Sequence, residues 1–167
     1  MILINKGEKK EIKGKIDKMS GDEFENYLFY MFLELGYKVE KTPCSGDYGA
    51  DLIVIKEKIK TVVQAKRYNS CVSLGAVQEI LGAKGYYDAD EALVVTNNFY
   101  TTSAKNLAKK NNVKLWDRGH LFSMIISDER IEFWEREIRK KEVHKKKKRN
   151  NSFNRNIDVI IDTIFKQ

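Results

Sequence analysis

Apolar and polar positions alternate along this chain with two periods. Phe24, Tyr27, Leu28, Met31 and Leu35 fall at i, i+3, i+4, i+7 and i+11, one face of an α-helix. Ser20 and Glu23 make a capping-box pair before that face and Gly36 follows it, so a helix is predicted over 21–35. A strand is predicted over 37–41, and then the turn-forming stretch Thr42-Pro43-Cys44-Ser45-Gly46-Asp47-Tyr48-Gly49. Two apolar runs, 50–55 and 61–66, flank the charged turn Lys56-Glu57-Lys58 and read as an antiparallel hairpin. Residues 72–87 carry a helical pattern with Leu74, Val77, Ile80 and Leu81 inward. A buried-type strand follows over 92–96, and then a helix capped by Thr102 or Ser103 that runs through Asn111. A short strand over 113–116 and a short helix over 119–126 complete the pattern. A helix, a run of strands, then alternating helix and strand predict an α/β fold: a mixed central sheet flanked by helices.

The ends differ from this middle. Residues 1–18 read as a lead-in, with Ile2 to Ile4 a candidate edge strand. After Asp128, Ile131, Trp134 and Ile138 continue at helical spacing into a basic run. Phe153, Ile157, Ile160, Ile161, Ile164 and Phe165 then line one face of a terminal amphipathic helix. Such a face must fold back on the core or pair with a second copy of the chain, so a homodimer is one expectation. The chain is therefore divided into a lead-in (1–18), a central domain (19–127) and a basic helical extension (128–167).

Charge sharpens the last assignment. Of 31 basic and 24 acidic residues, positions 1–138 hold 21 of each, so the whole net charge of +7 lies in 139–167. Eight cations crowd positions 139–149, a block that attracts a polyanion by neutralising phosphates. It reads equally as a solvated linker. The two cysteines, Cys44 and Cys71, lack metal-ligand spacing. No long apolar stretch marks a signal peptide or a bilayer span, so a soluble, cytoplasmic protein with no membrane partner is expected.

The hairpin carries the chemistry. With its turn near residue 58, Asp51 lies opposite the Gln64–Lys66 end, and Gln64 and Lys66, two apart, share a face. A carboxylate, an amide oxygen and an ammonium at the end of two apolar strands are costly to bury unless they pair or hold a metal. Hard oxygen donors in an incomplete cage suit Mg²⁺, with Lys66 placed to orient a water or stabilise developing charge. The same spacing also fits a structural Asp–Lys ion pair on a sheet edge. Neither His120 nor His144 has partners for a triad, and Trp116 reads as core.

A series of short stretches resembles the Mrr-like restriction endonuclease domain. They are Met19-Ser20-Gly21-Asp22-Glu23-Phe24-Glu25, Leu35-Gly36-Tyr37, Ser45 through Leu52, Val63-Gln64-Ala65-Lys66-Arg67-Tyr68, Val77-Gln78-Glu79, Gly82-Ala83-Lys84 and Val94-Val95-Thr96-Asn97. With Ala104 to Ala108, they stand in the family's order across about 18–126. The resemblance implies the restriction-endonuclease-like PD-(D/E)XK fold and Mg²⁺-dependent cleavage of double-stranded DNA, with Mn²⁺ able to substitute, in restriction or phage defence. It assigns Asp51 as the metal-binding acid, Gln64 to the second acidic position and Lys66 as the catalytic lysine. Glu25, on the first helix, is implied as a helping metal ligand, and Gln78 matches the family pattern. Two departures stand out: Ala50 replaces the proline before the acid, and an amide replaces the second acid. A structure-specific nuclease of the Holliday-junction-resolvase type, or a decayed DNA-binding module, would share these residues.

Overall fold

A computed structural model describes residues 6–43 and 48–140. The chain divides into two compact units, Met1–Ile131 and Glu132–Gln167. In the first, a five-stranded sheet runs in the order β1 (Lys38–Lys41), β2 (Leu52–Lys56), β3 (Ile59–Lys66), β4 (Glu91–Thr96) and β5 (Val113–Trp116). The pairs β1–β2 and β2–β3 are antiparallel, whereas β3–β4 and β4–β5 are parallel. The parallel pairs are joined through helices α3 (Leu74–Tyr86) and α4 (Thr102–Lys110), as parallel neighbours require. The mixed sheet flanked by helices that the pattern predicts is therefore present.

Each face of the sheet is covered. On one side, Phe24, Leu28, Met31 and Phe32 of α2 (Gly21–Glu34) bury against Leu52, Val54, Val63 and Val95. On the other, Val77, Ile80 and Ala83 of α3 and Ala104 and Ala108 of α4 bury against Val62, Ala92 and Val94. Trp116, half-buried, packs against this core by stacking on Phe32 with centroids 5.4 Å apart. The capping box of α2 is complete: Ser20 Oγ accepts from the Glu23 N–H, and the Glu23 carboxylate accepts from the Ser20 N–H. Gly36, at φ +80°, then turns the chain out of the helix.

Three expectations shift. Residues 6–16, within the segment read as a lead-in, form α1 (Lys6–Ile16), whose Ile12 and Ile16 enter the core. Only those two apolar positions, one turn apart among charges, marked it. The cap of α4 is Thr101, whose side chain accepts from the Ala104 N–H, one residue before the predicted caps. Leu74, at the start of α3, is exposed rather than inward. In the second unit the described residues 132–140 are helical, with Arg139 paired to Glu135 one turn away. The strand expected at Ile2 to Ile4, the apolar helix Phe153 to Phe165 and most of the basic run lie outside the described residues.

A charged clasp ties α1 to the sheet's end. Arg118, opening α5 (Arg118–Ser123), grips both carboxylate oxygens of Asp17 at 2.6 and 2.7 Å and donates to the Asn97 carbonyl at 2.8 Å. Arg67 donates to the Asp17 carbonyl at 2.8 Å. The Arg118 guanidinium holds the Asp17 carboxyl below its ordinary value of 3.8. A depressed carboxyl stabilises the fold above its unfolded value, and that contribution fades as pH falls through the lower folded value. Asp17→Asn should therefore lower the melting temperature at neutral pH, and the gap should narrow below about pH 3.8. A gap that stays constant in acid would show that the charge contributes nothing.

Candidate active site

The hairpin register builds the site. Glu57 and Lys58 both take positive φ, 52° and 70°, the backbone of a two-residue hairpin turn. Lys56 therefore pairs Ile59, and the ladder runs back to Leu52 opposite Val63. One step further along, Asp51 comes level with Gln64. Its N–H donates to the Val63 carbonyl at 2.9 Å, and its Oδ2 accepts from the Ala65 N–H at 2.6 Å. Just past the end of β1, Thr42 adds an N–H bond to the Asp51 carbonyl and a hydroxyl bond to the Ala50 carbonyl. The acid is thus fixed through the backbone on both sides.

Period-two alternation on β3 sends Val63 to the α2 side and Val62 to the α3 side, so Gln64 and Lys66 also face α3. There one carboxylate oxygen of Glu79 meets both: Gln64 Nε2 donates to Oε2 at 2.6 Å and Lys66 Nζ donates to it at 2.9 Å. The Lys66 ammonium, and then the Gln64 amide, hold Glu79 below the usual carboxylate range against the opposing effect of burial. Gln64 is only 2% exposed, and its Oε1 is buried without a hydrogen-bond partner among the described residues. A buried acceptor left in that state costs roughly 1–3 kcal/mol.

The strand end that carries Lys66 is clamped from β4. The Thr96 hydroxyl donates to the Lys66 carbonyl at 2.6 Å, and Asn97 Oδ1 accepts from the Tyr68 N–H at 2.9 Å. Both Thr96 and Asn97 are buried. Among the described residues, Lys66 Nζ forms an ion pair with Glu79. Arg67, next along the chain, donates to the Asp17 carbonyl and to Asn69 Oδ1.

Gly49 brings the loop before Asp51 against α3. Its φ is +89°, and an added Cβ would lie 2.9 Å from both the carbonyl oxygen and the Cβ of Glu79. Gln78 is exposed, and it is its neighbour Glu79 that reaches the site. Sequence reasoning passed over Glu79, although a signal existed: it shares a helical row with Ala76 and Ala83, both buried against the sheet. Glu25 stands half-buried on α2, the helix that covers the opposite face of the sheet from α3.

The donor set suits a hard divalent cation. Asp51 and Gln64 offer oxygens at one strand end, and the orphaned Oε1 is the kind of buried acceptor that a cation or a water would satisfy. Among the described residues, no three His, Cys, Asp or Glu side chains group closely enough to form a metal cage by themselves.

A mixed sheet with an acid, an amide and a lysine at the open end of its hairpin defines a restriction-endonuclease-like protein. The chain belongs to the Mrr_cat restriction endonuclease family, whose profile matches residues 16–125. No curated protein sequence matches the chain. Among solved structures it is similar to the DNA modification-dependent restriction endonuclease AspBHI, with a TM-score of 0.58 and 14% identity over 79% of this chain and 40% of that one. The MspJI restriction endonuclease in complex with a 27-mer oligonucleotide gives 0.52 and 17% identity, over 73% of this chain and 32% of that one. AF1548, a protein of unknown function, gives 0.51 and 12% identity over 58% of each chain. The chain thus spans less than two thirds of each of these proteins, and at such identities the likeness concerns the fold. No helix among the described residues is long and apolar enough to cross a membrane.

Proposed function

We propose that this protein is a Mg²⁺-dependent endonuclease acting on double-stranded DNA, with Asp51, Gln64 and Lys66 as its working residues and Mn²⁺ as a substitute ion. The buried Oε1 of Gln64, without a hydrogen-bond partner among the described residues and at the strand end shared with Asp51 and Lys66, carries the reading. Asp51 and Gln64 would hold the ion, with Glu25 as a helper acting directly or through water. When bound, such an ion neutralises phosphodiester charge and lowers the pKa of an attacking water.

The chain's own residues do the rest. Asp51 brings a carboxylate fixed by the Ala65 N–H, so its position costs little further ordering when substrate arrives. Lys66, with its carbonyl clamped by Thr96, presents an ammonium to phosphate oxygens or to the attacking water. An amide at position 64 is uncharged, so it draws a cation more weakly than a carboxylate would.

The assay is nicking of supercoiled plasmid with Mg²⁺, with Mn²⁺ and with a chelator. Nicking or linearisation that needs the metal supports the reading, and an inert protein that still binds DNA would instead mark a decayed binding module. A four-way junction cut in preference to plasmid would move the substrate to the resolvase class. Restriction or phage defence is the role proposed, and expression in a host should lower phage plating only while Asp51 is intact.

The basic run supplies non-specific attraction to DNA. Each phosphate neutralised adds about 0.9 to the logarithmic salt slope of binding, so removing residues 139–167 should flatten that slope. An unchanged slope would make the run a spacer.

A further inference from the structure

Glu79 stands where the sequence-based assignment has no residue, yet it touches two of the three residues assigned to the chemistry. Its Oε2 accepts from Gln64 Nε2 at 2.6 Å and from Lys66 Nζ at 2.9 Å. A carboxylate that accepts cannot face the oxygen of an amide, so this contact decides which way the Gln64 carboxamide points. The NH₂ turns to Glu79, and Oε1 becomes the buried acceptor with no partner among the described residues. Were the amide flipped, two oxygens would meet at hydrogen-bond distance. The close approach of α3 to the loop at Gly49 keeps the Glu79 backbone in place.

We propose that Glu79 is a positioning residue of the site: its carboxylate sets the orientation of the Gln64 amide and the place of the Lys66 ammonium. It does not substitute for the missing second acid by touching substrate. It makes an amide usable at position 64, because the donor half of that amide is occupied and the acceptor half is presented. The consequence concerns Gln64→Glu. Judged alone, glutamate should be the better cation ligand, but here it would face Glu79 at the 2.6 Å now spanned by a hydrogen bond, carboxylate against carboxylate. Position 64 and position 79 must therefore change together.

The proposal rests on the nuclease reading for its rate measurements, and a second measurement is independent of it. Plasmid nicking would be compared for wild type, Glu79→Ala, Glu79→Gln, Gln64→Glu and the double variant Gln64→Glu/Glu79→Gln, with melting temperatures alongside. Glu79→Ala should lose about 10- to 100-fold, the usual effect of removing a group that orients a ligand. Glu79→Gln should stay near wild type, because its amide oxygen still accepts both bonds. Gln64→Glu should be slow, and Glu79→Gln should rescue it. Equal rates for Glu79→Ala and wild type, or a Gln64→Glu rate indifferent to residue 79, would overturn the proposal. A purely structural Glu79 would lower melting temperature without producing that rescue. If wild type does not cleave, the nuclease reading fails, and the Gln64 carboxamide resonances decide the positioning role. Those NH₂ signals should shift in Glu79→Ala and hold in Glu79→Gln, whereas signals unmoved by Glu79→Ala would refute the contact.

Discussion

Lys66→Met should leave a folded protein that cleaves DNA about 100- to 1,000-fold more slowly, the scale expected when one preorganised donor to developing charge is removed. Methionine keeps the length of the apolar stem along β3 but carries no ammonium. The loss to stability should be small. The Lys66–Glu79 pair is partly open, with Glu79 about half exposed (51%), and ion pairs of this kind contribute about 0–1 kcal/mol. Glu79 also keeps its bond from Gln64 Nε2 in the variant. Separation of the two effects is the point of the experiment: rate should collapse while the melting temperature barely moves. If rate is unaffected in a folded Lys66→Met protein, Lys66 is only the structural ion-pair partner of Glu79.

Gly49→Ala should do the reverse and damage the fold first. At φ +89° an alanine is strained, and its Cβ would sit 2.9 Å from the Glu79 carbonyl oxygen, a backbone atom that cannot rotate away. Strain of this kind costs about 1–3 kcal/mol, and forced overpacking adds a comparable amount. A loss of about 3 kcal/mol would lower the melting temperature of a domain this size by roughly 10 °C. Gly36 is the control. Its φ is +80° but nothing lies within 4 Å of an added Cβ, so Gly36→Ala bears the conformational cost alone. Because Gly49 lies two residues before Asp51 and packs on Glu79, any relief of the clash must shift the acid or α3. Cleavage should fall in Gly49→Ala beyond the effect of Gly36→Ala. Equal melting temperatures for the two variants would mean that the loop does not pack on α3 as described.

The parts of this architecture legible in the sequence are those set by local rules. Ser20 and Glu23 announce the capping box because both partners lie within one turn. The charged turn at 56–58 sets the hairpin register, and through it the level of Asp51 with Gln64. Alternation then places Gln64 and Lys66 on one face. What the sequence leaves unread depends on how separate elements meet. Helix α1 carries seven charged residues among its eleven, and only the packing of Ile12 and Ile16 reveals that it belongs to the core. Glu79 is one of two adjacent polar residues on α3, and the choice between Gln78 and Glu79 rests on the rotation of that helix against the sheet. That rotation follows from small residues at Ala76, Ala83 and Gly49 rather than from any motif.

The most direct test of the catalytic assignment is the rate at which Asp51→Asn nicks supercoiled plasmid at saturating Mg²⁺. An asparagine oxygen can still accept from the Ala65 N–H, so the 2.6 Å bond that anchors this side chain survives while the negative charge is removed. Melting temperature should therefore match the wild type, and nicking should fall below about 1% of the wild-type rate. A folded Asp51→Asn protein that nicks plasmid as fast as the wild type would contradict the assignment of the site.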